Sequence, residues 1–475
     1  MTAAAAAGPD VERYQRAVAA LAERGRFGTR LGLGRTRALL RQLGEPQSGV
    51  RGVLVAGTNG KGSVQALIAA MLGAAGLRTG QTPKPHLLSY RERIMVDGRP
   101  IGGADFADLL ERVTEAAGRL PARLGPATEF ELVTAAAFDW FARRDVQVAV
   151  VEVGLGGRLD ATNAWDGGVA VITTVALDHT ELLGPTLTHI AREKAAIIKR
   201  GDIAVSGVIG EGRLPIVRRA RRLGVALREV EPLAIEDMGR TGMVMHHPGL
   251  GRLRVGLLGR HQAGNVAVAI AAVTALGEAG IASVPVAMMC RGLASARWPG
   301  RLELLTIDAH GHARPATAEP TIGQTDILLD GAHNPEGAQA LARALGESRP
   351  MLSGGGRPVF LTGVLADKDV PGMVGAMMGA VMASDALVVT TTVPGTSRAL
   401  DARELAARWS DGLAVARQRS ATRASRTPVA IPDVDDALGR AIAEARSGDG
   451  PVVVFGSLGL VGHVRGRLMA DIADG

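Results

Sequence analysis

The feature that most constrains this chain is an alternation of short aliphatic runs with longer helix-like stretches. The runs Val53–Ala56, Val148–Val153, Val169–Val175, Ile327–Leu329, Val359–Leu361, Leu387–Thr392 and Val452–Phe455 are dominated by β-branched and aliphatic side chains. Such runs read as strands buried on both faces. Between many of them lie helix-like stretches, Val64–Leu77, Thr134–Arg143, Asn265–Ala279 and Pro335–Leu345. A strand–helix–strand succession implies crossover connections and parallel pairing, so the expected class is α/β with largely parallel sheets.

At 475 residues the chain is too long for one ordinary core. Around Ala296-Arg297-Trp298-Pro299-Gly300-Arg301 a helical segment ends at a Pro-Gly pair and a new series of strands begins, which divides the chain into 1–298 and a smaller 299–475. Ala309–Gln324 and Ser410–Pro432 show no clear periodicity and are expected to be surface insertions.

No uninterrupted run is long and apolar enough to span a bilayer, and the opening residues lack the basic region of a signal peptide, so that stretch reads as a frayed tail. The single cysteine, Cys290, excludes an internal disulfide and any cysteine-cluster metal site. Cytoplasm is the expected location and a monomer the expected state. The 54 basic and 47 acidic residues leave +7, but the arginine-rich segments Arg218–Arg222 and Arg417–Arg426 have no aromatic residues interleaved to stack on bases. They read as solvated surface, with neither nucleic acid nor membrane as partner.

The first aliphatic run leads into Gly57-Thr58-Asn59-Gly60-Lys61-Gly62-Ser63, and a small-residue helix comes directly after it. Glycines let backbone N–H groups approach phosphate oxygens, a helix start presents unpaired donors, and Lys61 adds a mobile charge. The general phosphate-loop pattern has Ser or Thr directly after the lysine, whereas here Gly62 intervenes before Ser63.

Gly-Thr-Asn-Gly-Lys-Gly-Ser resembles the phosphate loop of the folylpolyglutamate synthase and dihydrofolate synthase family, relatives of the Mur ligases. The likeness continues through Pro85-His86-Leu87, Arg91-Glu92-Arg93, Thr128-Glu129-Phe130-Glu131, Glu152–Asn163, Leu177–Lys194, His261–Asn265, Pro299–Glu303 and Asp330–Pro335. It extends to Asp367-Lys368-Asp369, Ser397-Arg398 and Gly456-Ser457-Leu458.

The resemblance implies that Thr58, Asn59, Gly60, Lys61, Gly62 and Ser63, with Asn265, Arg301 and Asp330, bind ATP. It makes Ser63 a ligand of one Mg²⁺, and Glu152, His179 and a carbamylated Lys194 the holders of a second. Lys61, His179 and Lys194 are the implied catalytic residues. Carbamylation needs a neutral amine, so burial or nearby positive charge should depress the Lys194 pKa. Thr128, Phe130, Glu131, Leu159, Asp160 and Ala161 are implied along the pteridine-bearing substrate, although Thr128–Glu131 also reads as ordinary helix capping.

On this resemblance 1–298 is the ATP- and folate-binding domain and 299–475 the glutamate-ligase domain. The implied reaction forms an acyl phosphate from a folate-type carboxylate and ATP, after which L-glutamate's amine displaces phosphate. The acceptor is a reduced folate, dihydropteroate, or both; a non-catalytic nucleotide-binding regulator on the same fold is the rival. One departure stands out in Thr82-Pro83-Lys84-Pro85-His86-Leu87, where the family usually has Ser-Pro-His-Leu and this chain has Lys84 at the serine. An ammonium has no lone pair and cannot ligate a cation. Lys84 is then either solvated on a displaced loop or turned toward the triphosphate.

Overall fold

The structure is a computed structural model that describes residues 9–25, 30–320, 323–348, 352, 355–419 and 426–469. The expected N-terminal tail through residue 8 and residues 321–322 and 420–425 of the two expected insertions lie outside the described residues. The chain divides into two compact units, Met1–Leu233 with Ala263–Ser295, and Ala234–Gln262 with Ala296–Gly475.

The first unit is built on eight strands: β1 (Gly52–Ala56), β2 (Thr79–Thr82), β3 (Met95–Val96), β4 (Arg99–Pro100), β5 (Val148–Glu152), β6 (Gly168–Ile172), β7 (Ile203–Ser206) and β8 (Ala226–Glu229). Their order is β4-β3-β2-β5-β1-β6-β7-β8. All neighbours from β2 to β8 in that order pair in parallel, and β3 and β4 add an antiparallel edge. The aliphatic runs form the middle of the sheet, as strands covered on both faces must. Register aligns the strand ends: Thr82 lies opposite Val151, Val55 opposite Glu152, and Ala56 opposite Ile172. Four parallel strands thus end level, at the sheet edge where open α/β folds bind ligands.

Helices cover this sheet: α1 (Pro9–Gly25), α2 (Leu33–Gln42), α3 (Lys61–Ala74), α4 (Gly103–Gly118), α5 (Glu129–Arg143), the short α6 (Thr180–Leu183), α7 (Leu187–Ala195), α8 (Arg213–Leu223), α9 (Gln262–Glu278) and α10 (Val286–Ser295). Leu54, Ala56, Val151, Phe138, Phe141 and Trp165 share one core. Strand β2 escapes a hydropathy reading because Thr79-Gly80-Gln81-Thr82 is polar, yet all four residues are buried.

In the second unit β9 (Ala234–Gly239), β10 (Gly242–His247) and β11 (Gly251–Val255) form an antiparallel sheet, which groups here although it precedes Trp298. The larger sheet contains β12 (Glu303–Ile307), β13 (Ala313–Pro315), β14 (Thr325–Leu329), β15 (Val359–Thr362), β16 (Leu387–Thr390), β17 (Val429–Ala430) and β18 (Val452–Phe455), in the order β13-β12-β14-β18-β15-β16-β17. A buried Arg240–Asp326 pair, with Nη1 to Oδ2 at 2.6 Å and Nη2 to Oδ1 at 2.9 Å, fixes the β9–β10 turn to β14.

Two expectations are corrected here. Ala313–Pro315 is an edge strand paired with β12, so residues 309–324 are not wholly an insertion. Ser410–Arg419 continues the helix Ala402–Arg419, and Val429–Ala430 pairs with β16. The missed periodicity is Leu405, Trp409 and Leu413, one helical turn apart and all buried.

Candidate active site

The loop from β1 to α3 is held mainly by residues distant in sequence. Thr173 Oγ1 donates to the Asn59 carbonyl at 2.6 Å, and Thr174 Oγ1 donates to the same oxygen at 3.1 Å while accepting from Asn59 N–H at 2.9 Å. Thr58 N–H donates to the Thr174 carbonyl, and Ala176 N–H to Thr58 Oγ1. Gly60 opens α3 at φ 83°, and a Cβ there would stand 2.3 Å from Asn265 Oδ1. Only glycine fits both the left-handed backbone and the close approach of Asn265. The structure therefore brings Asn265 to the loop.

Lys61 Nζ folds back on its own loop, donating to the Gly57 and Thr58 carbonyls at 3.0 and 2.9 Å. Ser63 sits buried in the first turn of α3. Thr173 and Thr174, which pin this loop, fall inside an aliphatic run and are not singled out by any motif.

At the end of β5, Glu152 is only 2% exposed, and its N–H donates to Thr82 Oγ1 at 3.1 Å. The loop beyond it is shaped by Asp160. Asp160 Oδ2 accepts from Gly154 and Leu155 N–H at 3.0 and 2.8 Å; Oδ1 accepts from Thr162 N–H and its hydroxyl at 3.0 and 2.5 Å. These four donors occupy the carboxylate. A Cβ on Gly157 would lie 2.7 Å from the Glu193 carbonyl and 3.2 Å from Lys194 Cα, so the glycine run is what lets α7 pack directly on this loop.

That packing buries Lys194 on α7. Burial, with Lys61 adding repulsion, lowers its pKa to about 7 against the opposing pull of Asp178, Asp160 and Glu193. The amine has the depressed basicity expected from sequence. His179 begins α6 at φ 49°; its side chain is 44% exposed, and its Nε2 lies 3.8 Å from Asp178 Oδ1. Among the described residues no group of three or more His, Cys, Asp or Glu could hold a metal ion by itself. The expected Mg²⁺ sites fit only if Ser63, a modified Lys194 and nucleotide phosphates supply oxygens alongside Glu152 and His179. A buried, weakly basic Lys194 meets the chemical requirement for that modification.

Thr128 and Glu131 form a capping box on α5: Thr128 N–H donates to Glu131 Oε2 at 2.9 Å, and Glu131 N–H to Thr128 Oγ1 at 3.2 Å. Arg35 Nε donates to both Glu131 oxygens at 3.0 and 2.9 Å, an anchor that the sequence does not advertise. The capping reading of these two side chains is thus realised. Phe130, in the same first turn, packs its ring edge on Gly154, where a Cβ would fall 2.6 Å from Phe130 Cζ. Leu159 and Ala161 flank Asp160 in its loop; Leu159 is 38% exposed and Ala161 buried. Leu88 and Leu177, on loops beyond β2 and β6, are also exposed.

The loop after β2 is built from within. Glu92 accepts from the N–H groups of Leu87, Leu88 and Ser89 at 2.7, 2.9 and 2.8 Å. Arg93 donates from Nε to His86 Nδ1 at 2.9 Å and from Nη1 to Glu129 at 3.1 Å. Since arginine can only donate, the proton of neutral His86 is on Nε2. Burial and Arg93 push the His86 pKa down to about 4. Lys84 Nζ donates to the Glu152 carbonyl at 2.6 Å and lies 4.3 Å from the Phe130 ring centroid, so it is not a solvated surface lysine. Burial lowers its pKa to about 8, with Asp160 and Glu152 opposing.

The second unit gathers its own expected residues. Asp330, at the end of β14, accepts from Leu302 N–H at Oδ2 and from Ala332 N–H at Oδ1, both at 2.9 Å. Burial raises its pKa, and Arg301 and His261 pull the other way. Gly331 N–H donates to the Gly300 carbonyl at 2.8 Å, tying the Pro299–Glu303 turn to the same strand end.

The architecture is that of the Mur ligases: the profile described as "Mur ligase middle domain" matches residues 55–210, and "Mur ligase, glutamate ligase domain" matches residues 318–458. A probable bifunctional folylpolyglutamate synthase/dihydropteroate synthase of Halobacterium salinarum is 36% identical over 97% of this chain, which spans about half (52%) of that relative. A dihydrofolate synthase/folylpolyglutamate synthase of Mycobacterium tuberculosis is 36% identical over 91% of this chain and 89% of its own length. The crystal structure of Mycobacterium tuberculosis folylpolyglutamate synthase complexed with ADP and AMPPCP superposes with a TM-score of 0.81 at 30% identity, covering 97% of this chain and 99% of that one. The chain belongs to the folylpolyglutamate synthase/dihydrofolate synthase family of ATP-dependent ligases. No helix among the described residues is long and apolar enough to cross a membrane.

Proposed function

We propose that this chain couples L-glutamate to the carboxylate of a folate-type acceptor through an acyl phosphate, acting on tetrahydrofolates, dihydropteroate or both. The observation that carries this reading is the edge where β1, β5 and β6 end level, with the Lys61 loop, buried Glu152 and weakly basic Lys194 around it. In the proposed reaction the loop N–H groups and Lys61 hold the phosphates, joined by Asn265 on the nucleotide. An acceptor carboxylate oxygen attacks the γ-phosphorus and ADP leaves; the amine of glutamate then attacks the acyl carbon and phosphate leaves. Positioning two anions and stabilising their developing charge supplies the catalysis.

Ser63, Glu152, His179 and the carbamate of Lys194 would hold two Mg²⁺, which supply charge neutralisation on the transferred phosphoryl group. Phe130, Leu159 and Ala161 would meet the acceptor, with Thr128, Glu131 and Asp160 keeping them in place. Residues 1–298 would serve ATP and acceptor, and 299–475 the glutamate. A cytoplasmic monomer is the proposed state.

The test is an assay of purified protein with ATP, Mg²⁺ and labelled glutamate, against dihydropteroate and tetrahydrofolate separately. ATP-dependent amide formation with either supports the reading, and the pattern between the two assigns the acceptor. No amide with either would leave a nucleotide-binding regulator on the same fold.

A further inference from the structure

Lys84 is held in an unusual way for a lysine. One N–H donates to the Glu152 carbonyl at 2.6 Å, the ammonium stands 4.3 Å from the Phe130 ring centroid, and the Lys84 backbone N–H donates to Glu152 Oε2 at 3.2 Å. A carbonyl and a ring face orient a cation without neutralising it. The Glu152 carboxylate is close enough to receive the backbone bond, yet the ammonium is turned to the carbonyl of the same residue. Asp160, the other nearby carboxylate, is occupied by its four loop donors. The arrangement is a fixed positive charge at the joint between β2, β5 and α5.

An anion is what such a charge can bind, since an ammonium cannot ligate Mg²⁺. Two anions meet in the proposed reaction, the nucleotide triphosphate and the acceptor carboxylate. The contacts favour the second. Phe130 and the Glu152 end of β5, beside which the acceptor is proposed to lie, touch Lys84 directly.

We propose that Lys84, oriented by the Glu152 carbonyl and the Phe130 ring, binds the reacting carboxylate of the acceptor in place of the serine usual in the family. The proposal rests on the folate-ligase reading above. As the carboxylate oxygen bonds to the γ-phosphorus and the bond to the ADP oxygen breaks, Lys84 stays an ammonium and exchanges no proton. Its part is to offset the repulsion between two anions that must touch.

Equilibrium titration with pteroate and with pteroamide, its neutral carboxamide, in nucleotide-free buffer with EDTA isolates this charge contact from metal and from turnover. Wild type should bind pteroate about tenfold or more tightly than pteroamide, and Lys84→Met should reduce the ratio to less than about twofold. Lys84→Arg should keep most of the preference. Lys84→Ser is a second uncharged variant in case the methionine variant fails to melt cooperatively, and with metal removed its hydroxyl adds no competing coordination. Uncharged variants that retain the wild-type ratio would reduce Lys84 to a loop tether and overturn the proposal. A wild type that forms amide in the labelled-glutamate assay yet shows no preference overturns this proposal alone, whereas one that binds neither probe and forms no amide overturns the folate reading too.

Discussion

Two loops leave neighbouring strands at the same sheet edge, and they are stabilised in opposite ways. The Gly57–Gly60 loop after β1 is held from outside, by Thr173 and Thr174 beyond β6 and by Asn265 on α9. The Gly154–Thr162 loop after β5 is held from inside, by the single carboxylate of Asp160. The first therefore takes its shape only once β1 and β6 have paired, while the second can close locally. Their lysines differ likewise. Lys61 rests on carbonyls of its own loop and can exchange them for phosphate oxygens, whereas Lys194 is buried where α7 packs on Gly157. The loop proposed to admit a nucleotide carries a movable lysine; the loop beside it supports a fixed one.

The largest expected effect comes from removing the fixed lysine. Lys194→Ala should be nearly inactive, a loss on the order of a thousandfold or about 4 kcal/mol of transition-state stabilisation. Formate or acetate in the assay should return part of the rate by occupying the vacated space. The modification itself is open to ¹³C NMR of protein equilibrated with labelled bicarbonate. A pKa lowered to about 7 leaves the amine neutral above that value, whereas an ordinary lysine stays protonated far higher. The carbamate signal should therefore grow as pH rises through about 7 and then level off. Active enzyme with an unmodified Lys194 by intact mass would remove the carbamate from the proposal.

Next comes the movable lysine. Lys61→Ala should leave the thermal melt close to wild type, since Nζ donates to loop carbonyls and is not part of the apolar core. It should lower ligase turnover more than tenfold, which is more than about 1.4 kcal/mol. Unchanged turnover would show that Lys61 does not reach the phosphates.

The same contrast between local and distant support separates what was legible in the sequence from what was hidden. The parallel sheet was legible because strands covered on both faces must be continuously apolar, and β1, β5 and β6 are. Lys61, Glu152 and Lys194 were legible because motifs resembling a known family carry them. Thr173 and Thr174 were not, since a threonine inside a β-branched run looks like strand filling and its partner lies more than a hundred residues away. Arg35, which anchors Glu131, was hidden for the same reason. Strand β2 was lost because its burial comes from neighbours and not from its own hydrophobicity. Lys84 was visible as a departure, but its ring and carbonyl partners required the fold.

Asp160→Asn tests the loop that is held from inside. An amide presents an N–H₂ toward either the Gly154–Leu155 pair, losing both bonds, or Thr162, losing the N–H bond while the hydroxyl can turn to accept, so one or two of the four bonds must fail. Hydrogen bonds to charged groups contribute about 1.5–3 kcal/mol each, and partial rearrangement should limit the loss to about 2–3 kcal/mol. Chemical denaturation reads it directly. Because the Asp160 charge pulls the Lys194 pKa upward, the variant should also lower the basicity of Lys194 and increase the labelled carbamate at neutral pH. A variant as stable as wild type would mean that the Gly154–Thr162 loop does not depend on Asp160.

The smallest effect tests the loop that is held from outside. Valine in place of Thr173 keeps the side-chain shape and removes only the hydroxyl that donates to the Asn59 carbonyl at 2.6 Å. That carbonyl keeps its second donor, Thr174 Oγ1 at 3.1 Å, so no buried acceptor is orphaned. The loss should be that of one neutral hydrogen bond, about 0.5–1.5 kcal/mol. Stability alone cannot separate an external clamp from ordinary packing, but nucleotide affinity can. If the threonines hold the loop in its phosphate-ready shape, Thr173→Val should weaken ADP binding several-fold while leaving pteroate binding unchanged, because the proposed acceptor side is organised by Asp160 and α5. Doubling the lesion with Thr174→Val leaves Asn59 without either hydroxyl donor and removes the acceptor of its N–H, and the effect on ADP should then exceed the sum of the single changes. Equal weakening of both ligands would show that the two loops are one cooperative unit and that the distinction between them ends at the local hydrogen bonds.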